Sequence, residues 1–510
     1  MQNLCHPEAL AQCRVIGIKP ADSQNTFTMK IPSHSLAAFL AAIDTITCTQ
    51  DGEILTVKSK DYFWYSPLLQ EALEHKLGEI LVKPNDQAQL IRVVAAAAKN
   101  HINMTVRGGG TGNYGQCVPL EGGIILDITG LNRVLSITPG EVRCEAGILI
   151  MELERAVRAD RSVAGGQELL MYPSTRDIAT IGGFVGGGYG GAGSIRNGIL
   201  KDPGNVTHVR VLTMEAIPRV IDLMDTDIQK VHHAFGTNGI VTELTLSLKP
   251  AVDWVHHIAL FNGYRQALQL CVAATEAVSR TVPMRGNEAT GEEQLDAFLI
   301  TAVERRFAPF YEKEFGARFP RNRDAVFSMI HPHYLSRWRD MVQAHGGVET
   351  MALTEDELVP LGLVPSFECG WNHTTLMALR HDRSWTNLQT IHSWPLDIDQ
   401  IEAHMQRWGD EVLMHHEFAR DHNGPVVFGL PLIAYFDRDR LYEIIREFEH
   451  DGCVVLDNHV YTIEDGGMKT IDSAQIEFKK VADPHGLMNP GKTRGWTQDM
   501  AVSLPAQTAA

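Results

Sequence analysis

The first clear period lies between residues 85 and 100. Apolar side chains at 90, 91, 94, 97 and 98 share one helical face, and Asn85 or Asp86 stands where a cap belongs. A helix to about residue 100 is predicted, and its alanine run at 95–98 suits close packing on a sheet. The stretch GIVTELTLSL at 239–248 alternates with period two and predicts a strand. Shorter apolar runs predict strands at 79–83, 102–106, 123–128, 133–138, 141–145 and 206–213. Residues 33–46 read as a short helix capped by Ser35, 51–65 as a strand followed by a loop, and 149–159 as a helix. Between 172 and 197 stand eight glycines, at 182, 183, 186, 187, 188, 190, 191 and 193, a density that no ordinary helix or strand tolerates.

The texture changes after Pro250. Glycine becomes sparse, and helices are predicted at 264–278, 292–308, 399–421 and 438–450, with strands at 374–379 and 426–436. A last helix spans 473–483, ahead of Pro484, and small and polar residues past Gly495 predict a poorly ordered tail. The pattern is α+β. It divides into 1–250, a second α+β domain at 251–458, a returning segment at 459–496 and a tail at 497–510. No internal repeat is visible.

Composition narrows the picture. The 510 residues suffice for two or more domains, and 44% hydrophobic with 21% charged is ordinary for a globular protein. A net charge of −17 argues against nucleic acid or an anionic membrane surface as main partner. The 8 cysteines are scattered without a CxxC pair, which disfavours a zinc ribbon or an iron–sulfur cluster and fits reduced thiols in the cytoplasm. No secretory signal is visible, and the apolar run at 36–43 is far too short to span a bilayer.

Candidate chemistry begins at 106–114, VRGGGTGNY, where a glycine-rich loop follows a strand-like run. Such a loop brings backbone N–H groups against a ligand, and a diphosphate suits a nest of donors. The spacing fails the GxGxxG template of a Rossmann turn, and no Gly-Lys-Ser/Thr follows as in a P-loop.

Four segments then occur in order: RGGGTG at 107–112, PSTRDIATIGGFVGGGYGGAGSIRNG at 173–198, GTNGIVTELTL at 236–246 and DPHGLMNPGK at 483–492. Together they resemble the FAD-linked oxidases of the vanillyl-alcohol oxidase/PCMH superfamily, closest to the glycolate oxidase and D-lactate dehydrogenase branch. The resemblance covers about residues 75–250 and the last 50 residues; the middle domain matches only in outline. It implies a two-subdomain PCMH-type FAD-binding domain, plus an α+β substrate domain with an antiparallel sheet. The FAD cradle it implies comprises Arg107, Gly108, Gly109, Gly110, Thr111, Gly112, Asn113 and Tyr114 from the first loop. Pro173, Ser174, Ile181, Gly182, Gly183, Gly187, Gly188, Gly191, Gly193 and Ser194 come from the second. Gly239, Ile240 and Val241 lie toward the adenine end, and Asn489 and Lys492 approach from the C-terminal segment. Members with covalent flavin from this loop carry histidine where Thr111 stands, and no histidine lies between 102 and 207, so noncovalent FAD is expected.

The implied reaction is oxidation of the alcohol of a small 2-hydroxy acid, by hydride transfer to the flavin N5. A base near neutral pKa would take the hydroxyl proton. His373 and His459 are the candidates by position, with Tyr461 beside them. Where the branch has Glu-His-Gly-x-Gly, this chain has Glu464-Asp465-Gly466-Gly467, and Glu464 or Asp465 could act as base if burial raised its pKa. A carboxylate substrate calls for a cation, and Arg380 is the candidate. No metal is expected: HExxH is absent and the histidine pairs form no ligand motif, leaving only His373, His459 and Glu464 as a set to examine. Alternatives are oxidation of a phenolic or aryl alcohol, favoured by an aromatic pocket without a buried arginine, and a flavin-binding subunit without catalysis. A homodimer is compatible with the sequence, and the electron acceptor is left open.

Overall fold

The computed structural model describes residues 31–281, 294–467 and 470–502. The first sheet has four strands in the order Thr47–Thr49, Ile80–Lys83, Ile124–Asp127, Met104–Arg107. The last three are parallel, so the chain must cross over between Ile80–Lys83 and Met104–Arg107. Helix Gln87–Lys99 makes that crossing. Asp86 caps it by accepting from the Gln89 N–H at 2.8 Å, and Leu90, Val93, Val94 and Ala96 to Ala98 form its buried face. The strand Met104–Arg107 thereby delivers the glycine loop at its end.

The second sheet is antiparallel. Its main order is Val134–Thr138, Glu141–Glu145, Ile240–Pro250, Val206–Leu212, Val220–Met224, with Gln167–Leu169 pairing the far end of Ile240–Pro250. The strand at 240–250 is its spine, as its alternation predicts.

The third sheet has eight antiparallel strands: Val348–Thr354, Val255–Phe261, Asp324–Ile330, Ala297–Val303, His415–Asp421, Gly424–Gly429, Gln389–His392, Val454–Leu456. Helices Tyr264–Thr281, Leu335–Ala344, Ile398–Trp408 and Arg438–His450 contribute to the apolar core beside it. A small sheet joins Trp385–Asn387, Leu432–Ala434 and Val412–Leu413.

The chain then returns. Helix Ser473–Ala482 docks on the first half, where Gln475 Nε2 donates to the carbonyls of Gln229 and His232. Met104 N–H donates to Leu487 and Asn489 N–H to Met104, so the C-terminal segment runs along the strand that carries the glycine loop.

Several predicted elements differ. Residues 51–65 begin with a helix, Gly52–Lys58, because Asp51 caps it through the Ile54 N–H at 2.9 Å. The helix predicted from 33 is Ser33–Ala42, with Pro32 at its cap and Ser35 buried inside it. The predicted strand at 374–379 is the helix Thr374–His381; residues 374–379 are all buried, and an apolar run covered on every side shows no period. The predicted helix at 292–308 is instead the strand Ala297–Val303, seven consecutive buried residues, with its first two positions outside the described residues. The helix predicted at 399–421 stops at Trp408, where Gly409 takes φ +53°, and two strands follow. The strand predicted at 426–436 is split into Gly424–Gly429 and Leu432–Ala434. The glycine-dense stretch does hold a helix, Ile181–Gly187, capped by Thr180 Oγ1 on the Gly183 N–H. Past Gly495 the chain is fastened as far as residue 502: Trp496 lies under the Lys479 ammonium, and Val502 N–H donates to Pro484.

Candidate active site

One cavity gathers most of the candidates. It measures about 1840 Å³ with its open mouth included. One wall is Gly108 to Tyr114, a second Pro173 and Ser174 with Gly182, Gly183, Gly187 and Gly188, and a third Gly239 to Val241. The far wall comes from the eight-stranded sheet and its loops: Trp371, Asn372, His373, Gln389, Glu417 and Phe428.

The two glycine loops are pressed together. A Cβ on Gly108 would lie 2.0 Å from Thr180 Oγ1, and one on Gly109 would lie 2.1 Å from the Ile178 carbonyl oxygen. Gly186, by contrast, faces open space, with nothing within 4 Å of its would-be Cβ. Among the described residues, the backbone N–H groups of Gly108 to Gly112 have no protein acceptor. Asn113 Nδ2 and Asp61 Oδ2 are buried without partners beside them. Free donors in a glycine cradle suit phosphate oxygens, and a carboxylate and an amide beside them suit hydroxyl groups. The residues present therefore fit FAD, a diphosphate bearing a polyol.

Other predicted cofactor residues stand behind the cradle. The Arg107 guanidinium lies under Gly110 and donates to the carbonyls of Lys58 and Lys60. Ile181 N–H donates to Ile148. Gly191 and Gly193 lie against the backbone of residues 170–172, and Ser194 Oγ accepts from the Gly191 N–H. Asn489 Nδ2 ties Gln116 and Phe235 through their carbonyls, and Lys492 Nζ donates to Gly115 at 2.5 Å. Burial pushes the Lys492 ammonium down and the Asp61 carboxyl up, each partly offset by the other's charge.

The predicted catalytic residues separate. His373 lines the cavity. Burial pushes its pKa down to about 4, the nearby Arg380 charge adds to that, and a ring N–H donates to the Glu368 carbonyl. His459 is buried at the seam with Ser66, whose Oγ lies 2.7 Å from its Nδ1, and is not part of the cavity wall. Tyr461 packs beside Phe63 and Leu73 under the Lys492 ammonium. Glu464 accepts from Thr493 and the Arg494 N–H, and Asp465 pairs with Arg494 at 2.7 Å, so both brace the C-terminal loop. Arg380 is exposed at the end of its helix and is not part of the cavity wall. His373, His459 and Glu464 do not come together, and among the described residues no three His, Cys, Asp or Glu are placed to hold a metal.

Sequence reasoning missed Glu417. It sits 2% exposed at the cavity wall, on the strand His415–Asp421, and accepts the Asn372 N–H at 2.5 Å. Burial pushes its carboxyl well above the usual range. Asn372 is held at φ +52°, and its neighbour Trp371 accepts from the Ser174 hydroxyl, which joins this loop to the glycine-rich arm. Tyr114 makes a second bridge by donating to Gln389 Oε1. Among the described residues no arginine or lysine lines the cavity, whereas Tyr62, Tyr65, Tyr189, Trp371 and Phe428 do.

A parallel sheet, an antiparallel sheet and a returning C-terminal segment thus meet around one cradle. Residues 79–216 match the FAD binding domain family, so the chain carries an FAD-binding domain. The fold matches alkyldihydroxyacetonephosphate synthase with a TM-score of 0.62 at 13% identity, over 90% of this chain and 86% of that one. A BBE-like variant from Physcomitrella patens gives 0.61 at 13%, over 90% and 100%.

Among sequence relatives, a D-lactate dehydrogenase of Anaerostipes hadrus is 28% identical over 38% of this chain and 41% of that protein. The glycolate oxidase subunit GlcD of Bacillus subtilis is 24% identical over 34% and 37%. The aligned region thus spans about two fifths of these relatives' length. Among the described residues no helix is long and apolar enough to cross a membrane.

Proposed function

We propose that this chain is an FAD-dependent oxidoreductase that oxidises the CH–OH group of a small molecule. One observation carries the reading: the glycine cradle and the wall bearing His373 and Glu417 face each other across a single cavity. FAD bound in the cradle supplies the hydride acceptor. Everything else falls to side chains. His373 is uncharged at neutral pH, and its tautomer is fixed by the Glu368 carbonyl, so its other ring nitrogen is a base for the hydroxyl proton. Trp371 and Phe428 wall the site against water. Attachment is noncovalent in this reading, with Thr111 in the cavity wall at the point of the loop where a tether would form. The cradle belongs to 1–250 and 459–496 and the substrate wall to 251–458.

The sequence relatives support a 2-hydroxy acid such as lactate or glycolate as substrate. The cavity wall favours a different one. A carboxylate desolvated without a cation is costly, and among the described residues no arginine or lysine lines this cavity. Its aromatic lining suits an uncharged aryl alcohol. Anaerobic mixing of the holoprotein with D-lactate, glycolate, vanillyl alcohol and benzyl alcohol, followed by air, tests both. Bleaching by an aryl alcohol alone supports the neutral-substrate reading. Bleaching by the hydroxy acids alone contradicts it, and no bleaching by any of the four contradicts the oxidoreductase reading itself.

A further inference from the structure

We propose that Glu417 is a specificity-determining residue that presents its carboxyl to the substrate as a hydrogen-bond donor. The proposal rests on the oxidoreductase reading and deepens it.

The strand His415–Asp421 lies in the middle of the eight-stranded sheet, with Thr301 and Phe428 opposite Glu417 on its two neighbours. Phe428 and Glu417 both reach the cavity, so the carboxyl stands beside an aromatic ring in its wall. Its one backbone partner is the Asn372 N–H at 2.5 Å. Among the described residues no lysine or arginine lies within ion-pairing distance of it; the nearest basic atom is His415 Nε2 at 3.7 Å. That histidine cannot compensate a charge. It is buried, burial pushes its pKa down to about 3, and its Nδ1 already faces the Thr374 hydroxyl at 2.9 Å. His373, the other titratable group of this wall, is likewise uncharged.

A buried carboxylate with one hydrogen bond and no counter-ion is strongly disfavoured against the neutral acid. The neutral acid has a hydroxyl hydrogen to place. His415 Nε2 stands too far for a good hydrogen bond. Asn372 Oδ1 is buried without a partner on the same cavity wall, and an oxygen of a ligand in the cavity is a further acceptor. The two groups of the wall therefore divide the work: His373 accepts a proton, and Glu417 donates a hydrogen bond. This is the arrangement expected when two titratable groups are pushed apart by their surroundings.

A site built to donate rejects ligands that have no acceptor to offer, by roughly ten-fold or more in affinity. Glu417→Gln keeps the shape and retains a donor. Glu417→Leu removes it. Holoprotein of each form is titrated anaerobically with vanillyl alcohol and with D-lactate, following flavin bleaching and FAD content. The wild-type minus Glu417→Gln infrared difference spectrum is recorded at pH 7.

The expected result has three parts. The difference spectrum shows the carbonyl band of a neutral carboxylic acid. Glu417→Gln keeps the KM of the bleaching alcohol within about three-fold. Glu417→Leu raises it at least ten-fold with FAD content unchanged. Absence of the neutral-acid band overturns the proposal whichever alcohol reacts. So does loss of bleaching in Glu417→Gln, which would make the group a carboxylate base, and so does a Glu417→Leu protein equal to wild type. Failure of D-lactate, glycolate, vanillyl alcohol and benzyl alcohol alike to bleach the wild-type protein counts instead against the oxidoreductase reading.

Discussion

Single residues carry the account where backbone meets ligand. Gly108 and Gly109 are closed in by Thr180 and Ile178, so a methyl group at either must push the two loops apart. Gly109→Ala meets backbone and is expected to cost about 1–3 kcal/mol of stability. Gly186 faces the cavity with open space around it, at the end of a helix. Gly186→Ala should therefore hold or raise the apo-protein melting temperature while weakening FAD binding. A variant that leaves FAD affinity untouched would count against the cradle. His373 gives a pH prediction. Its folded pKa of about 4 lies below its ordinary 6.5, so the neutral ring is favoured by folding. The stability this lends is complete above pH 6.5 and is lost as pH falls toward 4. His373→Asn should flatten the stability curve in that window, by up to about 1.4 kcal/mol per pH unit. If His373 is the base, the acid limb of kcat/KM should fall near pH 4 rather than near 6.5.

At the scale of elements, legibility followed exposure. The helix Gln87–Lys99 and the strand Ile240–Pro250 were readable because one face of each is polar, which leaves a period in the sequence. The strand Ala297–Val303 and the helix Thr374–His381 are buried nearly all round, so composition alone could not distinguish them. The glycine loops were readable one residue at a time, because only glycine permits such close approach. Glu417 was hidden by an element misread: a helix at 399–421 leaves no strand to carry it to a cavity. Gly409, which ends the helix, and the Asn423–Gly424 turn were the signals that could have exposed the strand pair. The cap of Gln87–Lys99 offers an element-level test. Asp86→Ala removes the acceptor of the Gln89 N–H and should cost about 1 kcal/mol by denaturant unfolding, leaving FAD stoichiometry unchanged.

Across the whole molecule, the site exists because distant segments are fastened together. Asn489 holds Gln116 and Phe235, 373 and 254 residues away, and Ser174 reaches Trp371 across the cavity. Asn489→Ala leaves the buried Phe235 carbonyl and the part-buried Gln116 carbonyl without this donor and should cost about 1–3 kcal/mol, with weaker FAD retention. A fall in stability with unchanged FAD retention would show that the C-terminal return serves the fold alone. The relation between cradle and far wall was not readable from sequence, because no periodicity reports which loops meet. The central claim is that a flavin in this cradle is reduced by an alcohol in this cavity. The most direct measurement is FAD titration of the purified protein, followed by anaerobic addition of an alcohol panel spanning 2-hydroxy acids and aryl alcohols. One FAD bound per chain, then bleached by at least one alcohol, is the predicted result. FAD that does not bind, or that binds and stays oxidised with every alcohol, would contradict it.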